Sequence, residues 1–514
     1  MIKKLGTKCY FWFLILLCVV LRVVLLDKVP LGLNQDEAYG AYEAFSMLEF
    51  GVDSWGYRNP CYFVSWGSGM NVMYANLLKL FFLVFGYYDW VIRFPQALGS
   101  ILGCYAFYLF LKKGYGEKVG VLGLFLITIM PWNIMEARWG LESAMLPSCL
   151  MGAVWFFLKA FDKVKFLYLS LFLFGISLYV YAISWGFLGL FLPVIVGYFW
   201  WSNKKEWKNI LCGGAILVLM SVPLIWFLAV NVWGWQEYKG EWFSIPKLVY
   251  WRGNEWGYDD IKIKLDALYY IFILQSDMVI REVIPEFGLF YRYWWIAFLM
   301  GGYVLIRDVV DNGFEKARAS VIILCWLVVG WIYALGLYAS GTRVNFLFMP
   351  MTATMVLGAG LFLKNKWLGG GVVAIYLAVF FLFVKVYFGQ YDKVIGSYFS
   401  VGLKDALEYA EKEHQKNLLN VVVVDGIASY PKVLWYQKIK QSDFMGSVIW
   451  KQFPNAYLEP KWFLYYEFVD EFSNLKIRNN AIYIVEKKHA PFFYMFDKKE
   501  FGRFVVAVPK EMRS

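Results

Sequence analysis

The sequence predicts an α-helical polytopic membrane protein with about eleven transmembrane helices, a juxtamembrane helix in the first external loop and a small C-terminal extracytoplasmic α/β domain. Of the 514 residues, 60% are hydrophobic, 21% are aromatic and only 17% are charged. These proportions leave too little polar surface for a soluble globule, so the bilayer must act as the solvent. The net charge of +11 then indicates membrane orientation and not nucleic-acid binding.

Apolar runs long enough to cross a bilayer, about 17 to 25 residues each, predict the membrane helices. They are Tyr10–Leu26, Val91–Leu111, Val119–Met135, Ala144–Ala160, Phe166–Ala182, Trp185–Trp201, Ile210–Val230, Leu289–Ile306, Val321–Tyr338, Val344–Leu363 and Trp367–Phe388. No small-residue cleavage site follows the first run, so we expect that helix to be retained in the mature protein.

One short apolar segment, Asn71–Gly86, decides the orientation, because counting it as a crossing would invert every later loop. If it lies along the membrane surface as a juxtamembrane helix, a large set of basic residues faces the cytoplasm together with the N-terminus. This set is Lys3, Lys4, Lys8, Lys112, Lys113, Lys118, Lys163, Lys165, Lys204, Lys205, Lys208, Arg307, Lys316, Arg318, Lys364 and Lys366. Only Arg138 and Arg343 then lie in short outer loops, as the positive-inside rule favours.

This orientation leaves four stretches outside the membrane: a first loop over 27–90, a turn over 136–143, a large loop over 231–288 and the tail from residue 389. We therefore expect a transmembrane domain over 1–388 and an extracytoplasmic α/β domain over 389–514. In the tail the pattern predicts one helix and three strands, namely Gly402–Gln415, Leu419–Val424, Ala481–Val485 and Phe504–Val508. Any chemistry should be sought in these external stretches.

Adjacent carboxylates, Asp36 and Glu37, stand just outside the first predicted span, at the start of a helical stretch that runs to about Leu48. A sugar transfer needs a carboxylate that accepts the proton of the attacking hydroxyl, and a site beside the membrane suits a lipid-borne donor. A structural explanation competes, because acidic residues in the first turn also stabilise a helix through its dipole.

The tight external turn Glu136–Ser143 contains Arg138 and Glu142, four residues apart. If the stretch is helical, the two side chains share a face and form an ordinary intrahelical ion pair. In the functional interpretation, Arg138 neutralises a phosphate leaving group, and Glu142 orients the acceptor or completes an acidic pocket.

A second short outer turn, Ser340–Asn345, contributes Arg343 at the start of another span. An arginine at this depth either extends to lipid headgroups or binds the phosphate of a donor. No metal-binding histidine pattern or disulfide framework accompanies these residues. The only histidines, His414 and His489, lie in the tail, so we do not expect histidine-based catalysis.

Taken in order, these segments resemble the superfamily-C membrane glycosyltransferases, specifically the bacterial relatives of protein O-mannosyltransferases and aminoarabinose transferases (glycosyltransferase family 39-like). The resemblance covers most of the chain. It is carried by Asp36 and Glu37, by Arg93-Phe94-Pro95-Gln96-Ala97-Leu98-Gly99, by Lys112-Lys113-Gly114-Tyr115-Gly116, by Ala137-Arg138-Trp139 with Glu142, and by Arg343 through Pro350. Two positions depart from the family pattern: Asn59-Pro60 stands for a His-Pro-Pro element, and Glu142 stands where many relatives have aspartate.

The resemblance implies an inverting transfer of a hexose or pentose from a polyprenyl-monophosphate carrier, on the outer face of the plasma membrane. It implies Asp36 as the base with Glu37 in support, Glu142 as a further acid, and Arg138 or Arg343 near the phosphate. The implied partners are the lipid-linked donor, a protein, lipid or cell-wall glycan acceptor, and membrane lipids, with no nucleic acid. Members of the superfamily differ in metal use, so no cofactor is firmly implied and a divalent metal is possible.

Two other classes of protein stay open from the sequence. A transporter or flippase of lipid-linked saccharides also needs many spans and aromatic external loops, although no repeat is evident and the intramembrane charges Arg22 and Lys385 occur singly. A non-catalytic relative that binds glycan through its tail is the other. Substitution of Asp36 separates both from an enzyme.

Overall fold

The computed structural model describes residues 2–253, 256–276, 282–391, 395–424 and 429–510, with side chains from residue 8 onward. All five predicted site residues lie within these ranges, whereas the side chains of Lys3 and Lys4 lie outside them. The helices are, in chain order, α1 (Ile2–Val23), α2 (Gln35–Glu49), α3 (Met73–Phe85), α4 (Asp89–Tyr115), α5 (Glu117–Ile129), α6 (Pro131–Ala137), α7 (Glu142–Ala160), α8 (Lys165–Val180), α9 (Ile183–Ser202), α10 (Trp207–Val232), α11 (Ile261–Phe272), α12 (Trp294–Asn312), α13 (Arg318–Ala334), α14 (Gly341–Val344), α15 (Phe348–Phe362), α16 (Lys366–Gly389), α17 (Leu403–Asn417), α18 (Tyr430–Tyr436) and α19 (Gln441–Ser447).

The strands are β1 (Tyr238–Lys239), β2 (Ser244–Ile245), β3 (Asn420–Val424), β4 (Ile449–Trp450), β5 (Pro460–Phe463), β6 (Tyr466–Val469), β7 (Ala481–Glu486), β8 (Phe496–Phe501) and β9 (Phe504–Pro509). The helical class predicted from the sequence, with a small C-terminal sheet region, is confirmed.

Within the described residues, six helices are long and apolar enough to cross a membrane, or seven if the bent pair α5 and α6 counts as one crossing. Shorter apolar helices of 10–17 residues are α3, α8 and α13. Each predicted apolar run coincides with a helix or with this bent pair. Length and composition do not decide which helices cross, so the number of eleven stays a prediction.

The chain forms two compact units, each built from three separate stretches. The first unit comprises Met1–Leu26, Arg93–Pro223 and Gly253–Gly389, and the second comprises Asp27–Ile92, Leu224–Arg252 and Gln390–Ser514. The predicted transmembrane and extracytoplasmic domains, 1–388 and 389–514, stay a prediction. In the compact units, the first loop groups with the tail.

In the first unit, α12 and α15 cross at two glycines, Gly301 and Gly358. A Cβ atom on Gly301 would lie 1.8 Å from the carbonyl oxygen of Thr354, and one on Gly358 would lie 1.9 Å from that of Ala297. Small residues let the backbones of membrane helices approach closely, and dispersion contacts then hold the pair together. The absence of side chains at these two positions therefore fixes the crossing.

The bend between α5 and α6 measures 61°. Pro131 causes it, because proline has no N–H group and disfavours a helical conformation in the preceding residue; Met130 is indeed extended, with φ −68° and ψ 127°. The backbone groups freed at the bend have partners: the Ile129 carbonyl accepts from the Tyr291 hydroxyl at 2.6 Å, and the Trp132 N–H donates to the Leu289 carbonyl at 3.1 Å. Protein groups thus satisfy the broken backbone, as an apolar surrounding requires.

The second unit contains a seven-stranded mixed sheet in the order β4-β5-β6-β3-β7-β9-β8. The central strand β3 is parallel to both β6 and β7, and the outer pairs are antiparallel. Its valines, Val421–Val424, are all buried, as expected for a strand covered on both faces. The edge strand β8 carries Asp497, Lys498, Lys499 and Glu500, and such charges discourage pairing with another chain.

The first loop packs on the tail inside this second unit. The Tyr42 hydroxyl donates to the Ile439 carbonyl at 2.9 Å. The rings of Trp55 and Trp450 stack at 5.9 Å between centroids with an interplanar angle of 2°. These contacts extend the small α/β domain with the helices α2 and α3, and they hold the predicted acidic pair on a folded support.

Candidate functional site

Asp36 and Glu37 lie in the first turn of α2, in the second unit, as predicted. Asn34 is the N-cap: its side-chain oxygen accepts from the Asp36 N–H at 2.9 Å, and the buried Glu37 carboxylate accepts from the Asn34 N–H at 3.0 Å. This reciprocal arrangement is a capping box, which satisfies N–H groups that a helix start leaves unpaired. Glu37 therefore fixes the start of α2, while Asp36 is only partly buried.

Two further acids of the second unit, Glu43 and Asp53, were missed by the sequence reasoning. The fully buried Glu43 carboxylate accepts from the Ser54 N–H and hydroxyl, both at 2.7 Å, and from the Ser65 hydroxyl at 2.8 Å. Burial raises the pKa of Glu43 to about 7, and burial beside Glu43 raises that of Asp53 well above its usual range. The sequence contained one signal for Glu43: a glutamate flanked by apolar residues within a predicted helix.

Arg138 is fully buried in the first unit and binds the C-terminal end of α1. Its guanidinium group donates to the carbonyl oxygens of Leu21 at 3.0 Å and Leu25 at 2.7 Å, and it lies 4.9 Å from the centre of the Phe388 ring. Carbonyl groups at a helix C-terminus carry partial negative charge, so a cation is favourable there. Arg138 thus has a structural function in addition to any role at a phosphate.

The intrahelical ion pair considered for Arg138 and Glu142 is wrong. Helix α6 ends at Ala137 with Arg138 as its C-cap, and α7 begins at Glu142. The two residues therefore stand at the ends of different helices and do not share a helical face. Glu142 is partly buried in the first turn of α7, where a carboxylate suits the helix dipole.

Arg343 lies on the four-residue helix α14, and this turn is held by Glu282. The Glu282 carboxylate accepts from the Thr342 N–H at 2.9 Å and from the Thr342 hydroxyl at 3.3 Å. Ser340 caps the turn through the Arg343 N–H, and the Arg343 side chain donates to the Tyr338 carbonyl at 3.3 Å. Arg343 remains partly exposed, unlike Arg138.

Asn345 joins the two predicted outer turns of the first unit. Its amide N–H₂ group donates to the Ser143 carbonyl at 2.9 Å and to the Glu136 carboxylate at 3.4 Å. The structure thus brings together the turn that carries Arg138 and Glu142 and the turn that carries Arg343. Asp36 and Glu37, by contrast, belong to the second unit.

An apolar groove of about 560 Å³ lies in the first unit, between α12, α15, α16 and the chain before α12. Its walls include Ile296, Phe362 and Val379, and Glu286, Arg292 and Tyr293 line it where the chain enters α12. No group of three or more His, Cys, Asp or Glu residues that could hold a metal ion occurs in the described part of the chain. The mostly apolar lining and the volume suit part of a hydrocarbon chain.

Comparisons with known proteins define the class of fold. The family model of dolichyl-phosphate-mannose-protein mannosyltransferases matches residues 71–226. The crystal structure of ArnT from Cupriavidus metallidurans, bound to undecaprenyl phosphate, matches with a TM-score of 0.56 and 13% identity over 97% of this chain and 98% of that chain. The chain therefore has the fold of the superfamily-C membrane glycosyltransferases, and the resemblance predicted from the sequence is confirmed.

A curated protein and a further solved structure are also similar to this chain. YkcB of Bacillus subtilis (strain 168), a provisionally named mannosyltransferase, is 28% identical over 156 residues, which are 29% of this chain and 21% of YkcB. The chain thus spans about a fifth of the length of this curated relative. The archaeal oligosaccharyltransferase AglB from Archaeoglobus fulgidus, solved with an inhibitory peptide and a dolichol-phosphate, gives a TM-score of 0.49 and 12% identity over 85% of this chain and 64% of AglB.

Proposed function

We propose that this chain is an inverting membrane glycosyltransferase that moves a sugar from a polyprenyl-monophosphate donor to an acceptor on the outer face of the plasma membrane. The observation that carries the proposal is the likeness of the fold to that of ArnT, which extends over 97% of this chain. The matching crystal structure of ArnT contains bound undecaprenyl phosphate. The acceptor is a protein, a lipid or a cell-wall glycan.

In this proposal Asp36 is the general base. The acceptor hydroxyl oxygen attacks the anomeric carbon and forms the new glycosidic bond, while the bond from that carbon to the phosphate oxygen breaks. The hydroxyl proton passes to Asp36, and the polyprenyl phosphate leaves with the electron pair of the broken bond. Attack opposite the leaving group inverts the anomeric configuration. Glu37 supports Asp36 by fixing the start of α2 through the capping box.

We assign the departing phosphate to Arg343, because Arg343 is partly exposed at a turn that begins a span. Arg138 is fully buried against the end of α1, so it adds positive potential and holds the turn that leads to Glu142. Glu142 orients the acceptor from the first turn of α7. Alignment and compensation of charge are the main requirements, since the donor is already an activated phosphate ester.

The apolar groove between α12, α15 and α16 suits the prenyl chain of the donor, which would otherwise remain in the lipid. Helix α3 supports the proposed orientation with a cytoplasmic N-terminus and an extracytoplasmic tail. It exposes Leu80, Leu83 and Val84 while it buries Tyr74 and Leu78 against its own unit. An exposed apolar face on a short helix suits the membrane interface.

The test compares sugar transfer from a panel of radiolabelled polyprenyl-phosphate sugars by the intact protein and by Asp36→Asn at matched expression. We expect Asp36→Asn to lose at least about 100-fold in transfer rate, the scale of general-base catalysis, and to retain donor binding. Glu49→Gln, a carboxylate change in the last turn of the same helix, is the matched control and should retain transfer. Equal transfer by Asp36→Asn would exclude Asp36 as the base.

A transporter or flippase of lipid-linked saccharides is the second candidate, and the bend between α5 and α6 favours it, because broken helices are typical of transporters. However, the described residues contain a single bent pair of helices, without a counterpart in a matching half. A flippase would translocate a labelled lipid-linked sugar in liposomes without forming a product. Product formation together with sensitivity to Asp36→Asn would exclude this class.

A further inference from the structure

We propose that Glu136, Ser143 and Asn345 form a subsite that binds hydroxyl groups of the transferred sugar. The proposal rests on the proposed function and adds the residues that select the sugar. All three residues belong to the first unit, and they come from three separate elements: the end of α6, the first turn of α7 and the segment between α14 and α15.

Hydrogen bonds within the cluster leave three side-chain polar atoms without a partner among the described residues. The Asn345 amide N–H₂ group donates to the Ser143 carbonyl at 2.9 Å and to Oε1 of Glu136 at 3.4 Å. The Asn345 amide oxygen, the Ser143 hydroxyl and Oε2 of Glu136 are buried without a hydrogen-bond partner in the described ranges. Ser143 is 2% exposed and Asn345 is 0% exposed, so bulk water does not supply the missing partners.

Three such atoms in one cluster need an explanation, because folded proteins leave few buried polar atoms unpaired. Each unpaired buried group carries the full cost of its removal from water. A bound group that supplies the missing hydrogen bonds removes this cost, and the cluster is therefore prepared for a polar ligand.

The chemistry of the unpaired atoms defines that ligand. The Asn345 amide oxygen only accepts hydrogen bonds, and the Ser143 hydroxyl both donates and accepts. Oε2 of Glu136 accepts when the side chain is ionised and can donate when it is protonated. The ligand must therefore bring a donor for the amide oxygen and groups that can both donate and accept for the other two atoms. The indole N–H of Trp132, one turn before Glu136 on α6, is also buried without a partner and adds one donor. Neighbouring hydroxyls of a sugar ring, each a donor and an acceptor, match this set.

The position of the cluster fits the proposed transfer. Ser143 follows Glu142, and Asn345 stands two residues after Arg343. The two turns would thus bind the phosphate of the donor through Arg343 and hydroxyls of its sugar through this cluster. The competing explanation is a buried water, which typically makes about three hydrogen bonds to such atoms; the experiment distinguishes the two.

The experiment measures the dissociation constant and kcat/KM of purified Ser143→Ala and Asn345→Ala for the best donor of the panel and for its singly deoxygenated analogues. For the complete donor we expect each variant to lose about 10-fold, the effect of one hydrogen bond of about 1.4 kcal/mol. For the analogue that lacks the hydroxyl in contact with the mutated residue, we expect a further loss of less than about 2-fold, because that contact is already absent.

Thr352→Ala is the matched control, because the buried Thr352 hydroxyl already donates to the Phe348 carbonyl at 2.7 Å. It should change neither quantity and should show no preference among the analogues. Losses of equal factor for the complete donor and every analogue would overturn the subsite and assign the cluster an ordered water only. If Asn345→Ala does not fold, Ser143→Ala alone decides by the same criterion.

The experiments distinguish failure of the proposed glycosyltransferase function from failure of the proposed sugar subsite. If the intact protein binds the donor panel but forms no product, the proposed transfer is wrong, and the dissociation constants of the deoxygenated analogues still test the subsite. If transfer occurs and the variants show no dependence on any hydroxyl, the subsite is wrong while the transferase proposal stands.

Discussion

At the scale of single residues, buried arginines stabilise helix ends in the first unit. Arg22 donates to the carbonyls of Ile127 and Thr128 near the end of α5, at 3.3 and 3.4 Å. Arg93 donates to the Leu26 carbonyl at 3.0 Å, and Arg138 to those of Leu21 and Leu25. Charged groups inside a membrane protein are expensive and are usually functional, and here the helix carbonyls provide one function for them.

Two substitutions of Glu37 distinguish the contribution of its negative charge from the contribution of its capping hydrogen bond. Glu37→Gln retains an oxygen that can accept from the Asn34 N–H, so we expect unchanged thermal stability and transfer. Glu37→Ala removes the acceptor and should destabilise the protein by about 1 kcal/mol. Thermal unfolding in detergent and the transfer assay measure both effects. A loss of transfer in the stable Glu37→Gln variant would show that the negative charge itself is needed.

Glu43 predicts a dependence of stability on pH. Its pKa rises from 4.5 to about 7 on burial, so between these values the folded protein binds a proton that the unfolded chain has released. The free energy of unfolding should therefore fall as pH rises through this window, by at most about 3 kcal/mol from this group. Below the window the contribution is fully present.

The measurement is the melting temperature of the intact protein and of Glu43→Gln across this pH range. The variant should lose less stability as pH rises. Part of the dependence on pH should remain in the variant, because the pKa of Asp53 is also raised. Glu49→Gln, near the exposed end of the same helix, is the control. Identical slopes for all three proteins would contradict the buried, protonated state of Glu43.

The features of the site that could be predicted depend on residues that are close together in the sequence. Asp36 and Glu37 were placed at a helix start from their neighbours in the sequence, and the capping box depends only on Asn34, three residues earlier. The contacts of Arg138 were not predictable, because the carbonyl of Leu25 is 113 residues away along the chain. Glu43 was missed for a related reason: its partners Ser54 and Ser65 are brought to it by the fold of the first loop.

At the scale of elements, the crossing of α12 and α15 depends on Gly301. Gly301→Leu places side-chain atoms where the Thr354 carbonyl lies 1.8 Å from the Cβ position, so we expect destabilisation of at least about 2 kcal/mol from overpacking. Gly302→Leu is the control, because nothing lies within 4 Å of a Cβ atom there. Thermal unfolding and monodispersity in detergent should distinguish them. Equal stability of the two variants would rule out the close crossing.

Long apolar runs predicted the helices well, because burial in lipid or protein demands the same continuous hydrophobicity. The bend at Pro131 was missed, since Val119–Met135 is apolar throughout and proline is tolerated in membrane helices whose neighbours satisfy the backbone. In the tail, the strongly apolar strands β3, β7 and β9 were predicted. The short strands β4–β6 and the charged edge strand β8 were not, because they lack a long alternating pattern.

At the scale of the whole molecule, the predicted orientation is testable by chemical labelling. In a background with the exposed Cys9 and Cys212 replaced by serine, Lys416→Cys should react with a membrane-impermeant maleimide on intact cells. Lys205→Cys should react only after permeabilisation. Both lysines are exposed in their units, so accessibility of the side chain is not limiting. The reverse pattern would make Asn71–Gly86 a crossing and invert the later loops.

The second unit has a consequence for how the protein is made. Its first stretch, Asp27–Ile92, emerges early in synthesis, yet some of its partners lie in Gln390–Ser514. The hydrogen bond from Tyr42 to Ile439 joins residues 397 positions apart. At about 5–20 residues per second the first loop waits roughly 20–80 s for its partners. During that interval the aromatic faces of α2 and α3 are uncovered, and a chain that stops before the tail exposes them permanently.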